Sequence, residues 1–354
     1  MRRLLALSGL VAAAVGLAVT ADAAEVSTKD TGHVQNPVWS PDGQWLAFEV
    51  NNMANTVELW LTKVNGAVAG SPTQLNIPGA TSSFGGGGYA AGPIWAESPS
   101  LMLIFEGANA GGTMRLYYAN PGAGAPNELI TATQMAGNLH GPAMSPSGER
   151  FAFVSDVTGN GDIYVWELGD NSMVNTFTTS LSEHAPAWNA DSSSLAFSRK
   201  NQGTEDLFMW SGASTVEPFK GGNGDQTRPQ WVGEKVVYFT SERGEGKWDI
   251  ALASKGGKRT VVAKDVRLPA RATPAVSPDG QWIAYGSADP EAGNTIFFTS
   301  IDGGTTKKVT TDHKACGEPS LIQAGGRLLL AYTALRSEGS DWRRLHVVDI
   351  TGTI

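Results

Sequence analysis

A thirteen-residue unit occurs twice in this chain almost letter for letter. It reads Asn36-Pro37-Val38-Trp39-Ser40-Pro41-Asp42-Gly43-Gln44-Trp45-Leu46-Ala47-Phe48, and later Thr273-Pro274-Ala275-Val276-Ser277-Pro278-Asp279-Gly280-Gln281-Trp282-Ile283-Ala284-Tyr285. Weaker copies lie between and after these two. Ser-Pro-Asp-Gly is turn chemistry: proline presets φ for the second turn position, and glycine suits the fourth. Short apolar runs flank the turn, so the unit predicts a β-hairpin. A hairpin that returns at a fixed period predicts an array in which each copy buries its faces against the next.

The proline that opens each copy sets the count. These anchors are Pro37, Pro93, Pro142, Pro186, Pro229, Pro274 and Pro319, at intervals of 56, 49, 44, 43, 45 and 45 residues. A period of about 40–50 residues with several strands in each predicts β-propeller blades. The expected fold is therefore all-β, a seven-bladed propeller; six or eight blades would require one anchor to be false or missed. Each copy repeats one order: the strand at the proline, a turn, a second strand such as Leu195–Ser198, a Gly-rich loop, and a third strand such as Asp206–Trp210. An irregular outer strand follows. The seventh copy runs out after Leu345–Val348, while Val26–Asp30 precedes Pro37 much as Val309–Asp312 precedes Pro319. The N-terminal segment is thus expected to supply the last outer strand and close the ring, which removes exposed strand edges.

Composition narrows the class further. The chain has 354 residues, 41% hydrophobic, with 43 Gly and 18 Pro, enough for a core and for many turns. A formal charge of −8 argues against nucleic acid or an anionic membrane as partner. One cysteine, Cys316, leaves no intramolecular disulfide. Met1-Arg2-Arg3, the uncharged apolar run Leu4–Val19 and the Ala21-Asp22-Ala23 cleavage pattern predict a secretory signal peptide over residues 1–23. Residues 24–354 are then one propeller domain, periplasmic or secreted, with no membrane insertion after cleavage.

The x-Pro-x-Trp-Ser-Pro-Asp-Gly-x-x-(Leu/Ile)-Ala-(Phe/Tyr) unit, with Asp-(Ile/Leu)-(Tyr/Phe) opening the third strand, resembles the propeller repeat of the TolB family. That family's namesake is a periplasmic component of an envelope system, and the same repeat occurs in prolyl oligopeptidase-type propellers. The resemblance spans essentially all of the chain after residue 23, and it implies a fold more than an activity. TolB itself carries an α/β domain ahead of a six-bladed propeller, whereas here the first blade follows the cleavage pattern within about a dozen residues. The peptidases need a Gly-x-Ser-x-Gly nucleophile elbow, and the sequence holds none.

Other motifs read as scaffold. Trp39, Trp45, Trp95, Trp188, Trp231 and Trp282 recur in register beside the turns, as packing between blades predicts. Asp162, Asp206 and Asp249 open third strands without a calcium-loop pattern, so strand-end capping is expected. Gly85–Gly88 falls in the longest connection and lacks the Lys-Ser/Thr of a phosphate loop.

The polar residues just before the anchors are less easily absorbed. His33, Asn36, His140, His184, Arg228 and Glu318 all stand within four residues of an anchor proline. The loops there lead to the innermost strands, so these residues are the candidate ligand or partner site at one mouth of the channel. Two functions fit. One is a binding module for a protein of the cell envelope, with no cofactor. The alternative is a metal-assisted carbohydrate lyase or hydrolase, with His140 and His184 as the metal-binding candidates. Oligogalacturonate lyases, whose propeller repeat is of similar type, hold a metal with histidines at such a mouth.

Overall fold

A computed structural model describes residues 19–20, 23–26, 32–52, 57–77, 91–98, 100–122, 124–201, 203–212, 216–219, 223–256, 258–336 and 341–354. Seven antiparallel sheets follow one another along the chain as seven blades. From innermost strand outward, blade 1 is His33–Trp39, Trp45–Asn51, Val57–Asn65 and Thr73–Leu75. Blade 2 is Ile94–Ala96, Met102–Ala108, Met114–Ala119 and Asn127–Glu128, and blade 3 is Leu139–Met144, Arg150–Ser155, Asp162–Glu167 and Ser172–Thr176. Blade 4 is Ser182–Trp188, Leu195–Asn201, Thr204–Trp210 and Val216–Pro218, and blade 5 is Gln226–Val232, Lys235–Thr240, Trp248–Ser254 and Thr260–Val266. Blade 6 is Ala275–Val276, Trp282–Gly286, Thr295–Ser300 and Thr306–Thr310. Blade 7 is Lys314–Ala324, Arg327–Leu335, Arg343–Asp349 and, from the other end of the chain, Ala24–Val26.

The last pairing closes the ring as expected. Ala24, Glu25 and Val26 pair antiparallel with Val347, His346 and Leu345. Val26 is buried in the cluster shared by blades 7 and 1, and Glu25 is ion-paired with Arg336. The rest of the expected strand, residues 27–30, lies outside the described residues, as do Gly85–Gly88 and residues 1–18. Val19–Thr20 runs parallel along Val309–Thr310 at the edge of blade 6.

The repeated tetrapeptide does what its composition dictates. In blade 1 the Gly43 amide donates to Ser40 O at 2.9 Å, and Gly43 takes φ +67°. Ser40 Oγ donates to Asp42 Oδ1 and accepts from the Trp45 amide, so serine and aspartate cap the hairpin from inside. Blade 6 repeats the contacts at Ser277, Asp279 and Trp282, with Gly280 at φ +69°.

The core lies between blades. Ala47, Leu59 and Leu61 of blade 1 meet Leu103, Phe105 and Tyr117 of blade 2, and similar clusters fill the other seams. Both faces of a middle strand are covered, which explains why second strands read as apolar runs rather than as alternation. Tryptophan adds a directional tie. Trp39 Nε1 donates to Ser320 O of blade 7, Trp95 to Val38 O of blade 1, Trp188 to Ala143 O of blade 3 and Trp231 to Ala187 O of blade 4, at 3.0–3.2 Å. In each case the ring two residues after one anchor reaches the carbonyl one residue after the preceding anchor. Blades 3, 6 and 7 have Met144, Val276 and Leu321 in that place, so their seams lack this bond.

Candidate binding site at the channel mouth

In five blades the innermost strand is interrupted at its anchor. Pairing with the second strand skips between Gln35 and Val38, His140 and Ala143, His184 and Ala187, Thr227 and Gln230, and Gly317 and Ser320. The residue before each proline takes a left-handed φ: Asn36 +49°, Gly141 +53°, Ala185 +51°, Arg228 +54° and Glu318 +48°. For a residue with a Cβ this costs about 1–2 kcal/mol, and a following proline adds to the restriction. A bulge of this kind interrupts the ladder and re-aims the side chain. Its repetition around the ring sets polar groups at one end of the inner strands.

All seven anchor prolines line a cavity of about 710 Å³ along the channel. Most of its charged and ionisable lining sits on one side: His184 and Glu205 from blade 4, Asp225 and Arg228 from blade 5, and Arg271 on the approach to blade 6. Blades 1, 2, 3 and 7 contribute mainly prolines, small residues and apolar side chains, with Asn36 as the main polar exception.

Of the six candidate residues, Asn36, His184 and Arg228 lie on the cavity wall. Asn36 and Glu318 are brought together: the Asn36 amide donates to Glu318 Oε2 at 2.8 Å. Asn36 Nδ2 also donates to Glu49 Oε2 at 2.6 Å, and its Oδ1 accepts from the Arg271 amide. Glu318 Oε1 accepts from the Ala270 amide at 2.9 Å. His140 is buried with Nδ1 3.2 Å from Glu106 Oε2, and the neighbouring Gly141 amide donates to Glu106 Oε1. His184 Nε2 lies 3.2 Å from Glu205 Oε2. Arg228 donates to the carbonyls of Pro269, Ala270 and Ala272. His33 stands apart from the cavity, accepting from the Arg343 amide and packing edge-on against Trp342.

The residues missed from sequence are the acidic partners. Glu49 and Glu106 each follow the aromatic residue of a second strand, and Glu205 lies near the start of a third. A carboxylate at the same place in two consecutive apolar strands, Phe48-Glu49 and Phe105-Glu106, was the available signal.

Electrostatics follow from burial. Loss of water raises the Glu49 carboxyl above its ordinary value, against the pull of Arg271, 3.5 Å away, and the amides of Gln35 and Asn36. Burial also pushes Glu205 up, but the hydrogen bond and charge of His184, with Thr227, outweigh it and hold the group below the usual glutamate range. Burial lowers Arg228, with Glu205 and Glu318 opposing.

The mouth is thus a set of charge-assisted ties across seams, and those ties complement the tryptophans. Glu106 bridges blades 2 and 3, Arg228 joins blade 5 to the approach of blade 6, and Glu318 joins blade 7 to that same segment. Each seam without the tryptophan bond carries one of these ties. As a metal centre the candidates fit poorly. His140 and His184 each face a carboxylate from another strand, and among the described residues no group of three or more His, Cys, Asp or Glu side chains converges.

Comparison with known proteins bears on the fold. The family model of the TolB beta propeller domain matches residues 124–320, more than half of the chain. No curated protein matches. A solved structure assigned as TolB from Agrobacterium tumefaciens is 18% identical over 66% of this chain and 81% of its own, with a TM-score of 0.51. Oligogalacturonate lyase from Vibrio parahaemolyticus aligns over 96% of this chain and 99% of its own, at 12% identity and a TM-score of 0.61. A puromycin-hydrolyzing peptidase from Mycobacterium tuberculosis aligns over 95% of this chain but only 56% of its own length, at 13% identity and a TM-score of 0.63. At such identities these likenesses concern the fold alone. By the match over residues 124–320, the chain belongs to the TolB beta propeller domain family.

Proposed function

We propose that this chain is exported with loss of residues 1–23 and acts as a binding module that presents its channel mouth to a protein of the cell envelope. The observation that carries this reading is the one-sided mouth. It is a concave cavity of about 710 Å³ with His184, Glu205, Asp225, Arg228 and Arg271 on one flank and apolar or small residues on the other. Concave sites with a few convergent polar groups are where ligands bind. These groups are held by hydrogen bonds and ion pairs within and across blades before any partner arrives, so little ordering cost falls on binding. The test is photo-crosslinking in cells from an unnatural residue at Gln230, on the cavity wall. One envelope protein captured from Gln230, and lost when His184 and Arg228 are replaced by Ala, supports the reading. Equal capture from Val157, which is exposed and not part of that wall, sinks it.

A second reading, a lyase or hydrolase acting on carbohydrate at the same mouth, is favoured by one contact. The His184 imidazole and Glu205 carboxylate, 3.2 Å apart on the cavity wall, form a pair able to move a proton. Depolymerisation of oligogalacturonate by the purified protein, lost in His184→Ala, would support it. Metal content measured on the same sample decides whether a divalent ion takes part.

A further inference from the structure

Away from the channel, the seam between blades 6 and 7 holds a cluster that neither reading uses. His346, in the third strand of blade 7, is fully buried, and neither ring nitrogen has a hydrogen-bond partner among the described residues. Its ring stacks on His313 with centroids 3.8 Å apart, and on Tyr332 at 5.3 Å. His313 is itself 3.1 Å from the Tyr332 hydroxyl through Nδ1. His346 is also the register partner of Glu25, the middle residue of the strand that closes the ring.

We propose that His346, stacked on His313, is an acid-sensitive latch, whose protonation loosens blade 7 from blade 6 and frees the closing strand Ala24–Val26. A neutral imidazole tolerates an apolar seam, but an imidazolium there lacks both water and acceptor. A charge on the His346 ring would also face the His313 ring at stacking distance. The charged and titratable surroundings do not cancel this. On the closing strand Glu25 is committed to Arg336, just beyond the second strand, through a hydrogen bond of 2.8 Å from Arg336 Nε. From the approach to blade 7, Asp312 is exposed and 3.6 Å from His313 Nδ1, while Cys316 is buried beside the Thr311 hydroxyl. Tyr332 is neutral, and Arg344 on the same strand as His346 donates to Gly32 O. Burial and the neighbouring His313 hold His346 down to about 4, against 6.5 in an open chain. The open form therefore binds the proton more tightly, and opening is favoured as pH falls below 6.5. Moving from pH 7 to pH 5 shifts the equilibrium by about 20-fold.

The experiment is native-state hydrogen exchange on the full chain at pH 7 and pH 5, corrected for intrinsic rates. The expected result is about 20-fold more frequent opening of residues 24–26 and 343–349 at pH 5, with the local openings of blades 3 and 4, those smaller than full unfolding, unchanged. His346→Phe should remove the acceleration. Equal loosening of blades 3 and 4 in openings smaller than full unfolding, or an unchanged response in His346→Phe, overturns the proposal. Should His346→Phe fail to fold, NMR titration of the unmodified chain decides. A His346 ring that stays neutral down to about pH 4 supports the latch, and one that titrates at 6.5 or above refutes it.

Discussion

Replacing Trp188 with Phe removes one tie between blades 3 and 4 while keeping an aromatic ring in place. Trp188 is 7% exposed, sits in the core shared by these blades, and donates to Ala143 O at 3.0 Å. Phenylalanine loses that donor and leaves the carbonyl without its partner, at about 1–3 kcal/mol. The smaller ring also gives up roughly 40 Å² of buried apolar area, about 1 kcal/mol at 25 cal/mol per Å². Together the loss is about 2–4 kcal/mol. At about 2–4 °C per kcal/mol for a large domain, Tm should fall by roughly 4–16 °C. Urea unfolding should show a lower midpoint with an unchanged m value, because the surface exposed on unfolding hardly differs. Trp282→Phe is the control: that ring opens the second strand of blade 6, is half-buried, and lies near the Lys307 ammonium. It should cost less than about 0.5 kcal/mol, as surface-type changes do. A Trp188→Phe protein within about 0.5 kcal/mol of the parent, or one no worse than Trp282→Phe, would refute the role given to the indole N–H.

The other predictions concern closure, backbone approach and charge. Val26→Asp places a carboxylate in the apolar seam between blades 7 and 1, where Val26 is 1% exposed, and should destabilise by at least about 3 kcal/mol and promote aggregation seen by light scattering. Gly286→Ala sets a Cβ 2.3 Å from Cys316 O, a backbone atom, so it should cost about 2–4 kcal/mol in chemical unfolding although alanine is otherwise the better residue. Stability should fall on acidification, since His346 is held at about 4 and burial with Arg343 and Arg344 lowers His33. Both groups bind protons more weakly folded than unfolded, so the loss begins as pH drops through about 6.5, and His346 alone accounts for about 2 kcal/mol between pH 7 and 5. Asn36→Ala should cost about 2 kcal/mol by stripping Glu49 and the Arg271 amide of a partner, with the change read in urea midpoints.

Much of the ring was legible because its signals are local. Proline and Ser-Pro-Asp-Gly fix backbone angles within a few residues, so every anchor from Pro37 to Pro319 falls on the channel wall, and the Ala24–Val26 closure follows from a truncated last copy. The mouth was half legible. The anchors point to His184 and Arg228, but their partners Glu205 and the carbonyls of residues 269–272 come from other strands or connections. Short-range patterns carry no information on which carboxylate crosses a seam. His346 was invisible for a related reason: in Leu345-His346-Val347 it reads as the polar half of an alternating strand, and only the neighbouring blade makes that face dry.

The distribution of ties around the ring has a mechanical consequence. Tryptophan bonds join blades 7, 1 and 2 into one arc and blades 3, 4 and 5 into another, leaving blade 6 between two seams without them. Blade 6 is held at the mouth through its approach segment, by Arg228 from one side and Glu318 from the other. Occupancy of the mouth and the stiffness of the ring then become linked quantities. A ligand that drew Arg228 to itself would slacken the grip on blade 6, and by reciprocity a change in the seam between blades 5 and 6 would alter affinity at the mouth. The indole bonds thus divide the ring into two tied arcs, with blade 6 between them.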